Sequence, residues 1–180
     1  MDRGVWDQTN VALFPKTSKI VKDSGVPVVE LFFASMKPDS KINMHSDFTN
    51  FVLTSHLAID IPYSGSNKCR LTVGDETREW INGKVSLFDT SIMHDAVNEA
   101  DKTRYILMMR VWHPDLTEPD RKALQYLYDC LEIPDLASSD PGSRFMAEQR
   151  ANLMHEFPQV KTKKQSSKKK TKGKSKGFGK

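Results

Sequence analysis

The sequence predicts a mainly β domain, an antiparallel barrel or sandwich, followed by helices and a basic tail. Three observations carry this. Short runs rich in β-branched and aromatic residues recur between residues 27 and 112, separated by tight turn signals. Helical spacing appears only after Pro114. The last twenty residues, KTKKQSSKKKTKGKSKGFGK, hold almost nothing apolar.

The elements follow in order. PVVELFFASM (27–36) and FVLTSHLAIDIP (51–62) are strand-like, the second apolar enough to be covered on both faces. A meander comes next: KCRLTV (68–73), the turn GDE, TREWI (77–81), Asn82-Gly83 and KVSLFD (84–89). Asn-Gly between apolar runs predicts a type I′ hairpin, which needs positive φ at both central positions. RYILMMRVW (104–112) is a further strand. Thr117 with Asp120 forms a capping box for a helix whose apolar face is Leu124, Leu127, Tyr128 and Leu131, ended by Pro134. Residues 143–157 form a second helix. The expected organisation is an N-terminal extension (1–26), a β core (27–116), a helical segment (117–158) and a disordered Lys-rich tail (159–180).

At 180 residues the chain suits one domain with a core that needs no covalent staples. The net charge of +4 hides an asymmetry. From Lys161 onward there are ten lysines and no acids; removing those ten from 27 leaves 17 basic against 23 acidic side chains, a net charge of −6. Two cysteines, Cys69 and Cys130, form no CxxC, so neither a disulfide framework nor a zinc knuckle is indicated. No run of 18 or more apolar residues exists, and MDRGVWDQTN lacks a secretory apolar region. The expected location is cytoplasmic, with a nuclear one left open by the tail. The tail could also touch nucleic acid or an acidic surface through counterion release. With Phe178 its only aromatic, base stacking is not indicated.

Chemistry concentrates at NMHSDFTN (43–50), where His45 and Asp47 stand two apart. In an extended segment i and i+2 share a face. Such a pair can hold a metal, form a hydrogen-bonded pair at a strand end, or do neither. His94, in FDTSIMHDAVN, supplies a second imidazole. Two histidines and a carboxylate on strands of a β barrel match the facial triad of non-haem Fe(II) oxygenases, which leaves three positions open to a cosubstrate and dioxygen. A 2-oxo acid cosubstrate needs a cation for its far carboxylate. Arg104, ten residues past His94, offers a bidentate fork. Taken singly, each residue has a plainer reading: a loop pair, a surface histidine, a solvated arginine.

The segments MHSDFTN, SHLAIDIP, TREWINGKVSLFDTSIMHDAVN and RYILMMRVWHPDLT, in that order and spacing, resemble the aspartyl/asparaginyl β-hydroxylase family. The resemblance is continuous over roughly 75 residues, from about Asn43 to Pro114. It implies a double-stranded β-helix (jelly roll, cupin-like) and Fe(II)- and 2-oxoglutarate-dependent hydroxylation with O2. On it, His45 and His94 correspond to the iron-ligating histidines. Asp47 stands where some members have glycine and others a carboxylate. Arg104 corresponds to the arginine gripping 2-oxoglutarate, and His56 to a histidine near that cosubstrate. Two positions depart from the animal enzyme: Thr54 replaces an arginine, and Ala34 a serine. Strand signals before residue 27 are thin, which predicts an abbreviated N-terminus. The substrate could be a peptidyl Asp or Asn, a free amino acid or a lipid acyl chain. The alternatives are a non-catalytic or isomerase-like cupin metal protein, which would not need Arg104, and an interaction protein acting through its lysine tail. His113 reads as a structural residue, Trp80 and Trp112 as core or rim aromatics, Asp89 equally as a brace for the His94 loop or a plain turn residue, and Asn50 and Asn98 as ordering or capping the ligand loops.

Overall fold

The computed structural model describes residues 1–47 and 49–159. Most of the tail expected to be disordered lies outside the described residues. Ten strands are described: β1 (Val28–Met36), β2 (Ser40–His45), β3 (Val52–Asp60), β4 (Tyr63–Ser64), β5 (Ser66–Asn67), β6 (Cys69–Val73), β7 (Glu76–Glu79), β8 (Val85–Phe88), β9 (His94–Asn98) and β10 (Arg104–Trp112). Eight of them form two antiparallel four-stranded sheets, ordered β1-β10-β3-β8 and β2-β9-β6-β7. Apart from the β4-β5 and β6-β7 hairpins, successive strands pass from one sheet to the other, as in a double-stranded β-helix.

The inward face of the first sheet is apolar where it packs and polar between. Along β3, Val52, Thr54, His56 and Ala58 share a face, and across from them on β10 stand Trp112, Arg110, Met108 and Ile106. Val52 and Trp112 pack with Val29, Phe51, Leu124 and Tyr128. Ala58 and Ile106 belong to the main core with Met36, Cys69, Leu71, Trp80 and Ala96. Each large apolar side chain so buried contributes about 1.5–3 kcal/mol. The polar positions between the two clusters line the cavity described below.

The Asn82-Gly83 turn differs from expectation. β7 and β8 do not pair; they are edge strands of different sheets. Lys84 N donates to Ile81 O at 2.9 Å, closing a β-turn, but only Gly83 has positive φ (+76°), so the turn is not type I′. Asn82 instead ties the crossover to β3: its Oδ1 accepts from Ile61 N at 2.7 Å. The hairpin actually made joins β6 to β7 through Gly74-Asp75, with Gly74 at φ +61° in the first central place.

Before β1 lie two helices, α1 (Gln8–Leu13) and α2 (Pro15–Asp23), where the sequence reading had no element. The first residues run beside β1, with Gly4 N bonded to Val29 O at 2.8 Å and Leu31 N to Met1 O at 2.9 Å. After β10, α3 (Glu118–Glu132) carries the expected capping box: Asp120 N donates to Thr117 Oγ1 and Thr117 N to Asp120 Oδ2. Its inward face is rotated from the expected one. Leu127 and Leu131 are 61% and 69% exposed, while Gln125 and Asp129 turn inward. Gln125 donates to Arg3 O, and His155 bridges Asp129 and Gly4 O. The N-terminal carbonyls thus claim polar partners from this helix, which turns Leu127 and Leu131 out while Leu124 and Tyr128 still pack on the core. α4 (Pro141–Met154) is capped by Asp140 and packs Ala147 and Ala151 on Ile133 and Leu136. No helix among the described residues is long and apolar enough to cross a membrane.

Candidate metal centre

His45 ends β2 and His94 begins β9, and the two are paired across the strands. A β-bulge makes this so. From Ile42 to His45 the chain takes three steps while β9 takes two, from Ala96 to His94. In a regular ladder Met44, not His45, would oppose His94. The extra residue brings the imidazole rings to 4.3 Å between centroids. Asp47 lies in the loop after β2, anchored by its N–H to Thr90 O at 2.9 Å. Its Oδ1 is 3.5 Å from His45 Nε2. One ligand atom from each of His45, Asp47 and His94 lies within 4.8 Å of the others.

Both histidines are oriented in the same way. His45 Nδ1 is 2.8 Å from Asn43 O, and His94 Nδ1 is 2.9 Å from Ile92 O. A carbonyl only accepts, so each Nδ1 carries the proton and each Nε2 lone pair is left for a cation. The His94 loop is braced by Asp89, whose Oδ1 accepts from Ser91 N at 2.8 Å, and Ser46 Oγ donates to Ser91 O. Asn98 does not order a ligand loop. It sits at the far end of β9, where its amide donates to the carbonyls of Met36, Lys37 and Lys102.

A cavity of about 460 Å³ opens between the sheets, lined by the triad together with Thr54, His56, Thr90, Arg104 and Arg110. Arg104 is 3% exposed rather than solvated. Its guanidinium lies 4.4 Å over the Trp80 ring and touches Met36 Sδ, while Nε and Nη1 are buried without partners. Burial lowers its pKa to about 10, so it remains a cation at neutral pH. His56 is packed between Trp80 and Phe88. Burial first, then Arg104 and His94, lower its pKa to about 3, so it is a neutral imidazole. Its Nδ1, with Thr54 Oγ1 and Thr90 Oγ1, is also buried and unpartnered. Ala34 and Ser35 both border the cavity, with the exposed Ser35 on the opposite strand parity.

The sequence reading missed Arg110. Its Nη2 donates to Asp47 Oδ2, and its Nη1 lies 3.7 Å from Glu30 Oε2. Period-two spacing from Arg104 would have placed it on the same inward face. His113 makes local hydrogen bonds at the end of β10: its backbone N–H donates to Phe51 O, and its Nδ1 accepts from Asp115 N at 3.3 Å.

This fold and ligand cluster define a candidate metal-binding jelly roll. The family described as Aspartyl/Asparaginyl beta-hydroxylase matches residues 1–114, and the chain belongs to that family. It is 34% identical over 114 residues to the aspartyl/asparaginyl beta-hydroxylase of Mus musculus, covering 61% of this chain and 15% of that protein. It is 28% identical over 136 residues to aspartate beta-hydroxylase domain-containing protein 2 of Homo sapiens, covering 71% and 36%. The chain thus spans a minor part of the length of these relatives. Solved cupins, such as a Cupin 2 conserved barrel domain protein from Salinispora arenicola (TM-score 0.38, 14% identity, 54% of this chain, 70% of that one), overlap too loosely to add to the fold seen here.

Proposed function

We propose that the chain is an Fe(II)- and 2-oxoglutarate-dependent dioxygenase that hydroxylates a C–H bond of a peptide, amino acid or lipid. One observation carries the reading: the cavity beside the His-Asp-His cluster contains a buried arginine with two unpartnered nitrogens. An unpaired buried charge is costly, and a carboxylate entering the cavity relieves that cost.

The residues fit the implied groups. His45 and His94 present their Nε2 atoms and Asp47 a carboxylate, the donor set of a non-haem Fe(II) site. With 2-oxoglutarate and O2, iron would supply the oxidising power to insert one oxygen atom into a C–H bond, giving succinate and carbon dioxide. Arg104 would hold the far carboxylate of 2-oxoglutarate, with two free N–H groups in a dry setting. Neutral His56 and Thr54 would add uncharged hydrogen bonds near it. Leu71, Phe88, Ile106 and Met108 would give the bound groups an apolar wall. A metal isomerase of the same shape would have no use for Arg104.

The test is succinate release with Fe(II) and 2-oxoglutarate against a panel of Asp/Asn peptides, free amino acids and acyl lipids. Succinate coupled to a hydroxylated product from one class supports the reading. Absence of any 2-oxoglutarate-dependent charge-transfer absorption in the iron-loaded protein overturns it.

A further inference from the structure

We propose that Arg110 is a positioning residue for the metal centre, holding Asp47 so that one carboxylate oxygen, Oδ1, faces the two histidines. This rests on the metal reading above and names a part of the site that the His-Asp-His pattern does not include.

Asp47 lies in a loop, beyond the last residue of β2. A loop carboxylate left to itself samples several rotamers, and a metal must then select one of them. Here the choice is made beforehand. Arg110 Nη2 binds Oδ2, and Oδ1 is left 3.5 Å from His45 Nε2. Arg110 is itself placed by the sheet. It stands on the inward face of β10, opposite Glu30 on β1 and Thr54 on β3. Glu30 Oε2, 3.7 Å from Nη1, draws the guanidinium toward β1. Glu30 and Arg110 side chains are 20% and 24% exposed, so the carboxylate–guanidinium–carboxylate row is largely shielded from water. A planar fork bound to one oxygen and steered by a second carboxylate fixes direction as well as distance.

Placing a cation next to a metal ligand has two opposed effects. It repels an incoming divalent ion and draws electron density from the carboxylate. It also removes the rotamer search and keeps Oδ2 occupied, so Asp47 binds through one atom. The geometry favours the second effect, because Oδ1 already lies 3.5 Å from His45 Nε2 within the His-Asp-His cluster. Partners that orient metal ligands typically contribute 10–100-fold in affinity.

The two effects give opposite signs in a mutant cycle. Co(II), as a stand-in for Fe(II), is titrated into wild type, Arg110→Ala, Arg110→Lys, Asp47→Ala and the double variant Asp47→Ala with Arg110→Ala. Calorimetry and the d–d absorption of the bound ion are recorded, and circular dichroism checks folding. Arg110→Ala is expected to weaken binding about tenfold or more and to alter the d–d band, with Arg110→Lys recovering part of both. In the Asp47→Ala background, removing Arg110 is expected to leave affinity equal or tighter, because only its repulsion remains.

An unchanged or tighter site in Arg110→Ala overturns the proposal, since the ion pair would then merely compete with the metal. Equal weakening in both backgrounds also overturns it, since Arg110 would act on the fold and not through Asp47. Should Arg110→Ala not fold, Arg110→Lys and Arg110→Gln decide by the same signs. Wild type that binds no Co(II) sinks the metal reading itself, a separate outcome.

Discussion

The two sheets contribute unlike halves to the cavity. The sheet β2-β9-β6-β7 supplies His45 and His94, with Asp47 just beyond β2. Each of these three already has a protein partner: a carbonyl for each imidazole, an arginine for the carboxylate. The sheet β1-β10-β3-β8 supplies Thr54, His56 and Arg104, whose buried polar atoms include several with no partner. One half is satisfied and oriented; the other is short of acceptors. On the proposed function, that asymmetry would separate a site that holds one small cation rigidly from a neighbouring site that receives a ligand with oxygens of its own. It also predicts that damage to the two halves will be separable in binding measurements.

The largest effect is expected from the satisfied half. His94→Ala should abolish stoichiometric Fe(II) binding under anaerobic titration, because His45 and Asp47 alone cannot define a facial set of three. One tight site per chain surviving in that variant would dissolve the proposed division between the sheets.

Asp47→Gly removes one ligand and leaves Arg110, then paired with Glu30 alone, beside the metal. Affinity for Fe(II) should fall about tenfold or more, corresponding to at least about 1.4 kcal/mol. Some turnover should persist, as the glycine at this position in some relatives implies. Unaltered iron affinity and turnover would make Asp47 a loop residue paired with Arg110 and nothing more.

Arg104 tests the other half. Arg104→Ala should raise the 2-oxoglutarate requirement at least about tenfold, since hydrogen bonds to charged groups are worth roughly 1.5–3 kcal/mol. Iron binding should be retained. Arg104→Lys should rescue only in part, because a point charge does not replace a fork. The readout is the charge-transfer absorption of the iron-loaded protein as 2-oxoglutarate is added. Equal saturation of wild type and Arg104→Ala would assign the cosubstrate to another cation.

Much of this was legible beforehand. Strand runs such as 27–36 and 104–112 were plain from β-branched and aromatic content, and β10 begins and ends where its sequence pattern does. His45, Asp47, His94, His56 and Arg104 were each named from motif order, and the fold gathers all five around one cavity. What escaped had physical reasons. β2 is mostly exposed, and β9 buries alternate residues that are polar or small, His94, Ala96 and Asn98, so no apolar alternation announces either strand. The bulge before His45 is a matter of register between two strands distant in sequence, which a linear pattern does not encode. The Asn82-Gly83 signal describes a turn correctly but cannot say which sheet each flank joins. Arg110 was passed over because an arginine in a strand ordinarily reads as a solvent-facing residue.

The smallest effect concerns His56 and needs no ligand. In the fold its pKa is lowered to about 3 from an ordinary 6.5, chiefly by burial. The unfolded chain therefore binds a proton that the folded chain refuses across that window. Stability contributed by neutral His56 is fully present above pH 6.5 and is lost as pH falls toward 3, by up to about 1.4 kcal/mol per pH unit. Replacing it with a neutral residue of similar size, His56→Gln, costs some packing against Trp80 and Phe88 but removes the titration. Denaturant unfolding of the metal-free protein between pH 7 and pH 5 should therefore show a shallower decline in the variant than in wild type. Parallel slopes would mean that His56 takes up its proton readily inside the cavity. The half of the site next to Arg104 would then be wetter than its packing implies, and the contrast between the two sheets would narrow to a difference in charge alone.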